Sequence, residues 1–344
     1  MSLFSRSFPV RRSSAPPARR KRRAVRAPAT SRGPGHLSLA AESLERRALL
    51  AVSATLSGGD LLITYNDPGD TVADITSDGT DYTVTGTGLA STTFKIADVT
   101  GVISVADNAA QGGQEFKVLA GTVLANPLQI NANVEIATLT GGITATTAGD
   151  VLIGSAAITL ANDISTAATN ANIAFTGAVT LAQNTTLNAG AGAITFKSTV
   201  DGAYTLTANS TGTTTFGGVV GGTGKLVSLT TNAGGTASLL SVSTSGAQTY
   251  NDDTVTLNGT YATTDSKFTV DKNTTLAGNT VVSTGTGDIS FNGTVDGLYT
   301  LAANSTGTTT FGGVVGGTGK LVSLTTNAGG TASLLSVSTS GAQT

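Results

Sequence analysis

Cysteine is absent from all 344 positions of the chain, which excludes structural disulfides, thiolate zinc sites and cysteine nucleophiles. Tryptophan is also absent, and the single histidine, His36, lies near the N-terminus. Beyond residue 50 the chain has neither histidine nor arginine, so the commonest general base and the commonest clamp for anionic groups are missing there. No apolar run approaches the roughly 18–20 residues of a transmembrane helix, and no membrane span is predicted.

Charge and proline content divide the chain near residue 50. Residues 1–50, here called the head, hold twelve of the nineteen basic residues and five of the seven prolines, with only two acids. Residues 51–344, the body, hold seven lysines against nineteen acids, a net charge of −12, and 42 of the 44 glycines. Because so basic a segment cannot bury enough apolar surface to fold, we predict that the head is a disordered targeting segment. Its only aromatic residues are Phe4 and Phe8, so nucleic acid is not a predicted partner.

The end of the head combines a short helical pattern with a recognisable motif. Small apolar residues recur on one helical face from Leu37 to Ala48. Residues 44–50 read Leu-Glu-Arg-Arg-Ala-Leu-Leu and resemble the Leu-Glu-Pro-Arg-x-Leu-Leu motif near the N-terminus of large bacterial surface proteins, with Arg46 in place of proline. The resemblance implies export. A cleavable signal peptide ending near Ala54 and a paired-arginine signal at residues 11–12 are alternatives, so the export route stays open.

The body contains a long internal duplication. Residues 201–249 and 296–344 agree at 47 of 49 positions at an offset of 95, and differ only at Ala203/Leu298 and Thr207/Ala302. A fixed period of this clarity predicts a repeat architecture. The second copy stops at Thr344, where the first copy continues, so we expect the chain to be part of a longer array.

A shorter period of about 20 residues lies inside the long one. A short alternating β-pattern recurs around five phenylalanines, each followed by glycine-rich or asparagine-rich turns: Phe175, Phe196, Phe216, Phe291 and Phe311. Units this small lack a core of their own, and they become stable only when they stack on their neighbours. We therefore predict an all-β fold, a right-handed parallel β-helix of about 14 coils and roughly 65–70 Å. Immunoglobulin-like sandwiches of about 95 residues are the alternative.

The pattern divides the body into two predicted regions. Residues 56–65 read as a β-hairpin, and residues 51–130 are predicted to form an N-terminal β-region that caps the open strand edge of the rod. Residues 131–344 are predicted to form the solenoid repeats, which include the duplication.

Motifs in residues 170–344 resemble the β-strand repeats of filamentous-haemagglutinin-like and autotransporter-type bacterial surface proteins. Those motifs are Gly-Ala-Gln-Thr-Tyr-Asn-Asp at 246–252, Asn-Thr-Thr-Leu at 273–276 and Thr-Thr-Thr-Phe-Gly-Gly at 213–218. The resemblance implies an exported β-helix with a structural or adhesive role at the cell surface. It implies cell-surface glycans or other cells as partners, with self-association through the solenoid edge as a further expectation. A passive spacer or surface-layer component without a ligand is the alternative.

The body offers few groups for catalysis. Its candidate carboxylates are Asp201, Asp252, Asp253, Asp288 and Asp296. A polysaccharide-active β-helix enzyme would need positioned acids and bases, yet Asp201 and Asp296 are one position in two copies, as expected of a turn aspartate. We predict no enzyme, no catalytic residue and no cofactor.

Two further patterns lack the spacing of a metal-binding or phosphate-binding motif. Oxygen donors for calcium cluster in two places, but neither has the spacing of an EF-hand loop, so solvated turn acids are predicted instead of a metal site. They are Asn66, Asp67, Asp70, Asp74, Asp78 and Asp81, and then Asn251, Asp252 and Asp253. The sequence Gly-Gly-Thr-Gly-Lys at 221–225 recurs at 316–320 and lacks the spacing of a phosphate-binding loop, which predicts a structural turn.

Overall fold

The predicted all-β solenoid is confirmed in a computed structural model that describes residues 51–344, apart from residues 68, 70, 109–111, 233 and 328. These residues form a parallel β-solenoid of about 11 turns. Within that part of the chain the only helical segment is a 3-10 turn, Ile96–Asp98. The predicted disordered head, its helix and its targeting motif lie outside the described residues. Immunoglobulin-like sandwiches are ruled out, because successive coils pair in parallel without a break.

The chain enters the solenoid through antiparallel strands. Strands β1 (Val52–Ser57) and β2 (Asp60–Tyr65) form the predicted hairpin. Strands β3 (Thr71–Ser77), β4 (Asp81–Gly86) and β5 (Leu89–Lys95) form a meander. Of these five strands, only β2 and β3 pair with strands of the first coil, namely β6 and β7. Strands β1, β4 and β5 pair only with other strands of this antiparallel region.

The remaining strands belong to the coils. The first fourteen are β6 (Ile103–Asp107), β7 (Gln114–Val118), β8 (Val123–Leu124), β9 (Leu128–Ile130), β10 (Ile136–Leu139), β11 (Gly142–Thr144), β12 (Val151–Ile153), β13 (Ala157–Leu160), β14 (Ile164–Ser165), β15 (Ile173–Phe175), β16 (Ala178–Leu181), β17 (Thr185–Gly190), β18 (Ile194–Phe196) and β19 (Val200–Asp201). The last fourteen are β20 (Thr205–Ser210), β21 (Thr213–Val220), β22 (Ser228–Thr231), β23 (Thr236–Ser243), β24 (Gln248–Tyr250), β25 (Thr254–Ala262), β26 (Phe268–Val270), β27 (Asn273–Gly285), β28 (Ile289–Phe291), β29 (Val295–Asp296), β30 (Thr300–Ser305), β31 (Thr308–Val315), β32 (Ser323–Thr326) and β33 (Thr331–Val337).

Each coil has three strand segments, which stack into three faces. The first face contains β6, β9, β12, β15 and β18, then the first halves of β21, β23, β25 and β27, then β29, and then the second halves of β31 and β33. The second face contains β7, β10, β13, β16 and β19, then the second halves of those four long strands, and then β30 and β32. The third face contains β8, β11, β14, β17, β20, β22, β24, β26 and β28, then the first halves of β31 and β33.

Inward-facing side chains form columns along each face. On the first face Phe175, Phe196 and Phe216 stack with ring centroids 4.9 and 5.0 Å apart, and Leu239 continues the column. The alternation of buried and half-buried residues along β20 is typical of a strand with one face in the core. These columns join into one continuous core of buried apolar side chains.

The duplication itself shows that burial depends on stacking. Leu239 and its copy Leu334 occupy the same place in the same local sequence. Leu239, which has Leu257 stacked on it, is 2 % exposed, whereas Leu334 in the last coil of the chain is 43 % exposed. The apolar side chains of a coil are therefore buried only when another coil stacks on it.

The two copies do not lie on the same face. Phe216 lies on the first face, whereas Phe311 lies on the third. Four steps along the first face lead from β21 through β23, β25 and β27 to β29, and two more faces of that coil lead to β31. The 95-residue period is thus four and two-thirds coils, and the second copy is turned by one-third of a coil.

The expected number of coils is wrong. The solenoid has about 11 turns rather than 14, and at ~4.8 Å a turn its length is roughly 53 Å. Of the strands in residues 52–95, only β2 and β3 stack in parallel on a coil, and the early coils are long, since Val105 pairs with Ile130, 25 residues later.

We expect Phe216→Ala to lower the free energy of unfolding by about 3–5 kcal/mol, because the change leaves a cavity between the Phe196 ring and Leu239 of the neighbouring coils. Chemical denaturation followed by circular dichroism measures this. Leu152→Ala is the control, since Leu152 is 39 % exposed and its truncation should cost under about 0.5 kcal/mol. A loss below about 1 kcal/mol for Phe216→Ala would show that the column is not packed as described.

Candidate functional site

The candidate carboxylates Asp201 and Asp296 hold successive coils together. Asp201 Oδ1 accepts hydrogen bonds from the backbone N–H groups of Thr223 and Gly224, each at 2.9 Å. In the second copy, Asp296 Oδ1 accepts from Thr318 at 2.8 Å and Gly319 at 3.0 Å. Partial burial opposes ionisation of Asp296, but these N–H groups outweigh it and lower the pKa of the carboxyl.

The same contact recurs along the solenoid. Side-chain oxygens of aspartate and asparagine at the corners accept a hydrogen bond from a backbone N–H one coil later, 20 to 23 residues along the chain. Examples are Asp150 to Asn172, Asp163 to Thr186, Asn170 to Ala191, Asn184 to Thr205, Asp265 to Thr286 and Asp288 to Thr308. We call these contacts corner latches. The turn role of Asp201 and Asp296 is predicted from the sequence, whereas the corner latches are not.

Asp252 differs from the other candidate carboxylates, because it is fully buried. The Thr231 hydroxyl donates a hydrogen bond to Asp252 Oδ2, while Asp252 Oδ1 has no partner. Burial raises the pKa of this carboxyl to about 6, and the neighbouring Asp253 carboxylate adds to the effect. The prediction that Asp252 is a solvated turn acid is therefore wrong.

A polar network lies beside Asp252 in the core. Gln248 Nε2 donates to the backbone oxygens of Ala262 at 2.9 Å and Val242 at 3.2 Å, and the Tyr250 hydroxyl donates to Gln248 Oε1 at 3.1 Å. Burial raises the pKa of Tyr250 well above its usual value of 10.0. These groups satisfy one another, as buried polar groups must.

The candidate calcium ligands near the N-terminus serve as turn residues and strand residues. Asp78 Oδ1 accepts from the N–H groups of Thr80 and Asp81, each at 2.8 Å, and Asp81 pairs with Lys95 at 3.5 Å. Asp70 lies outside the described residues. Over the described part of the body, no three histidine, aspartate or glutamate side chains lie close enough together to hold a metal ion.

The glycine-rich segment at 221–225 is a turn, as predicted. Gly221 has φ +71°, and a Cβ there would lie 2.0 Å from the backbone oxygen of Ser243. The N–H groups of Thr223 and Gly224 already bind Asp201. The loop therefore has no free amide cradle at these positions for a phosphate group.

Two exposed corners remain as candidate binding surfaces. The Tyr204 corner consists of Tyr204, 37 % exposed, and Val227, 41 % exposed, in successive coils. The Tyr299 corner is its copy and consists of Tyr299 and Val322, with Leu298 beside them at 72 % exposed. The Ala203/Leu298 difference is visible in the sequence, whereas the exposure of Leu298 is visible only in the fold.

Comparison with protein-family models, curated proteins and solved structures finds no match. The resemblance to filamentous-haemagglutinin-like and autotransporter-type repeats therefore depends on sequence motifs and on the solenoid fold. In the part of the chain that the structure describes, no helix is long and apolar enough to cross a membrane.

We expect Asp252→Asn to stabilise the protein at neutral pH. The folded-state pKa of about 6 lies above the usual 3.8, so folding favours the protonated carboxyl. That contribution is fully present below pH 3.8 and is lost as the pH rises through 6. The variant should therefore match the parent near pH 4 and exceed it by up to about 3 kcal/mol at pH 8.

Urea denaturation at pH 4, 5, 6, 7 and 8 measures the effect. Asp98→Asn is the control, because Asp98 is exposed and lies far along the chain from Asp252, so its change should leave the pH dependence unaltered. A constant difference between Asp252→Asn and the parent at all five pH values would contradict the assignment.

Proposed function

We propose that the chain is the structural or adhesive solenoid of a large exported bacterial surface protein and that it performs no catalysis. The observation that carries the proposal is the use of its polar side chains. Corner carboxylates such as Asp201, Asp288 and Asp296 bind backbone amides of the next coil. A side chain engaged in this way holds the rod together and is poorly placed to exchange protons with a substrate.

The arrangement of the duplicated carboxylates also supports a role without catalysis. Asp201 ends β19 on the second face, and its copy Asp296 ends β29 on the first. The two are separated by four and two-thirds coils, roughly 22 Å along the axis. Paired carboxylates in glycosidases lie within about 10 Å of each other.

A surface location follows from the head in this proposal. Its basic composition and its Leu-Glu-Arg-Arg-Ala-Leu-Leu sequence resemble the N-terminal segments of exported proteins that carry repeats, with Arg46 in place of proline. The proposed partners are cell-surface glycans or other cells, and no nucleic acid is proposed.

A passive spacer or surface-layer component is the second candidate. A latched rod of about 11 turns supports this role, because it can separate two ends without binding anything along its sides. Adhesion and spacing differ in one measurable property, which is saturable binding.

The test uses the full chain immobilised on beads and bacterial cells as the partner. An adhesin should bind cells saturably and should be displaced by free protein, whereas a spacer should show only linear, non-displaceable retention. Protease treatment of intact producing cells should remove the protein if it lies at the surface. Release of reducing ends from polysaccharides by the purified chain would contradict the absence of catalysis.

A further inference from the structure

We propose that the Tyr204 corner and the Tyr299 corner are two copies of one site for an uncharged polysaccharide, and that the rod bridges two polysaccharide chains through them. This inference rests on the adhesive function proposed above. It adds the site, the ligand class and the number of ligands.

The Tyr204 corner is a fixed surface. The Val227 N–H donates to the Tyr204 backbone oxygen at 2.9 Å, which places the two residues on neighbouring coils at one edge. The loop at 221–225 is held against this edge, since the Gly202 N–H donates to the Gly224 oxygen at 3.1 Å and Asp201 accepts from Thr223 and Gly224. The exposed ring of Tyr204 therefore sits on an ordered base.

The Tyr299 corner reproduces this construction. The Val322 N–H donates to the Tyr299 oxygen at 2.9 Å, and the Gly297 N–H donates to the Gly319 oxygen at 3.0 Å. The one side-chain difference beside the tyrosines is Leu298 in place of Ala203, which enlarges the apolar surface. A ligand that fits one corner should fit both.

The two corners lie on different edges of the rod. Tyr204 lies between β19 on the second face and β20 on the third, whereas Tyr299 lies between β29 on the first face and β30 on the second. The corners are thus turned by one-third of a coil and separated by roughly 22 Å along the axis. One straight chain lying on a single edge cannot reach both, so the rod can hold two chains at once.

The charges at the corners indicate an uncharged ligand. Each corner carries one lysine, Lys225 or Lys320, and one carboxylate that is already a latch. The body has no arginine, so there is no bidentate clamp for a sulfate, phosphate or uronate group. An exposed tyrosine supplies a flat apolar face with a hydroxyl at its tip, which suits a sugar ring with its apolar face and its rim of hydroxyls.

The size of the corners indicates a polymer. A stable protein partner needs about 800 Å² on each side, far more than one tyrosine and one or two aliphatic side chains provide. A polysaccharide repeats its binding unit, so a corner of this size can bind at many equivalent positions along one chain. Two weak corners of the same construction therefore match a repeating ligand.

The experiment measures binding of the full chain to insoluble cellulose and chitin and to soluble mannan and dextran, with alginate as an anionic probe. The wild type should bind at least one uncharged polymer, and should cross-link the soluble ones, seen as an increase in light scattering. Tyr204→Ala or Tyr299→Ala alone should halve the binding stoichiometry and abolish cross-linking. The double variant should lose binding by at least tenfold, and Tyr204→Phe should retain it.

Leu152→Ala is the matched control, because Leu152 is as exposed as Tyr204 but lies outside both corners. Wild-type binding by the double variant, or preference for alginate, would overturn the corner site while leaving the adhesive function standing. Saturable binding to cells without binding to any uncharged polymer would do the same. Absence of saturable binding to cells and polymers alike would overturn both proposals.

Discussion

The structure depends on the parallel stacking of each coil on the next. A unit of about 20 residues has one apolar side and no second layer of its own, so its phenylalanines and leucines enter a core only between two neighbours. The pair Leu239 and Leu334 shows this within one molecule, since identical local sequence is buried under a following coil and exposed without one. The adjacent coil therefore supplies both the hydrogen-bond partners of the backbone and the packing partners of the apolar side chains.

The polar side chains at the corners also connect each coil to the next. Corner aspartates and asparagines bind amides one coil away, which closes the turns where the strand ladder is interrupted. Asp252 differs from them, because its carboxyl lies inside the rod. There the Thr231 hydroxyl donates a hydrogen bond to one carboxyl oxygen, and the other oxygen has no partner. A buried carboxyl with one unpartnered oxygen costs stability in its charged form, and this gives the rod a pH-dependent point in its middle coils.

Much of the architecture could be read from the chain. The 20-residue spacing of Phe175, Phe196 and Phe216 predicted coils in register, and these rings do stack. The hairpin predicted at residues 56–65 is present as the antiparallel pair β1 and β2. The number of coils was overestimated, because hairpin strands and coil strands share one β-pattern and differ only in the partner that each strand finds. The burial of Asp252 was not predicted for a related reason. The local sequence Asn-Asp-Asp is typical of a solvated turn, and the carboxyl is buried only by the coils on either side.

The sequence by itself determined the coil, the columns and the identity of the two 49-residue copies. Spacing along a chain is enough to decide which residues share a face of one strand. Only the tertiary structure decided which way each copy faces. The 95-residue period is four and two-thirds coils, and that fraction depends on the length of every intervening turn. Those turns differ slightly in length from one coil to the next. The edges of the rod on which Tyr204 and Tyr299 lie are therefore determined only when all the coils between them have formed.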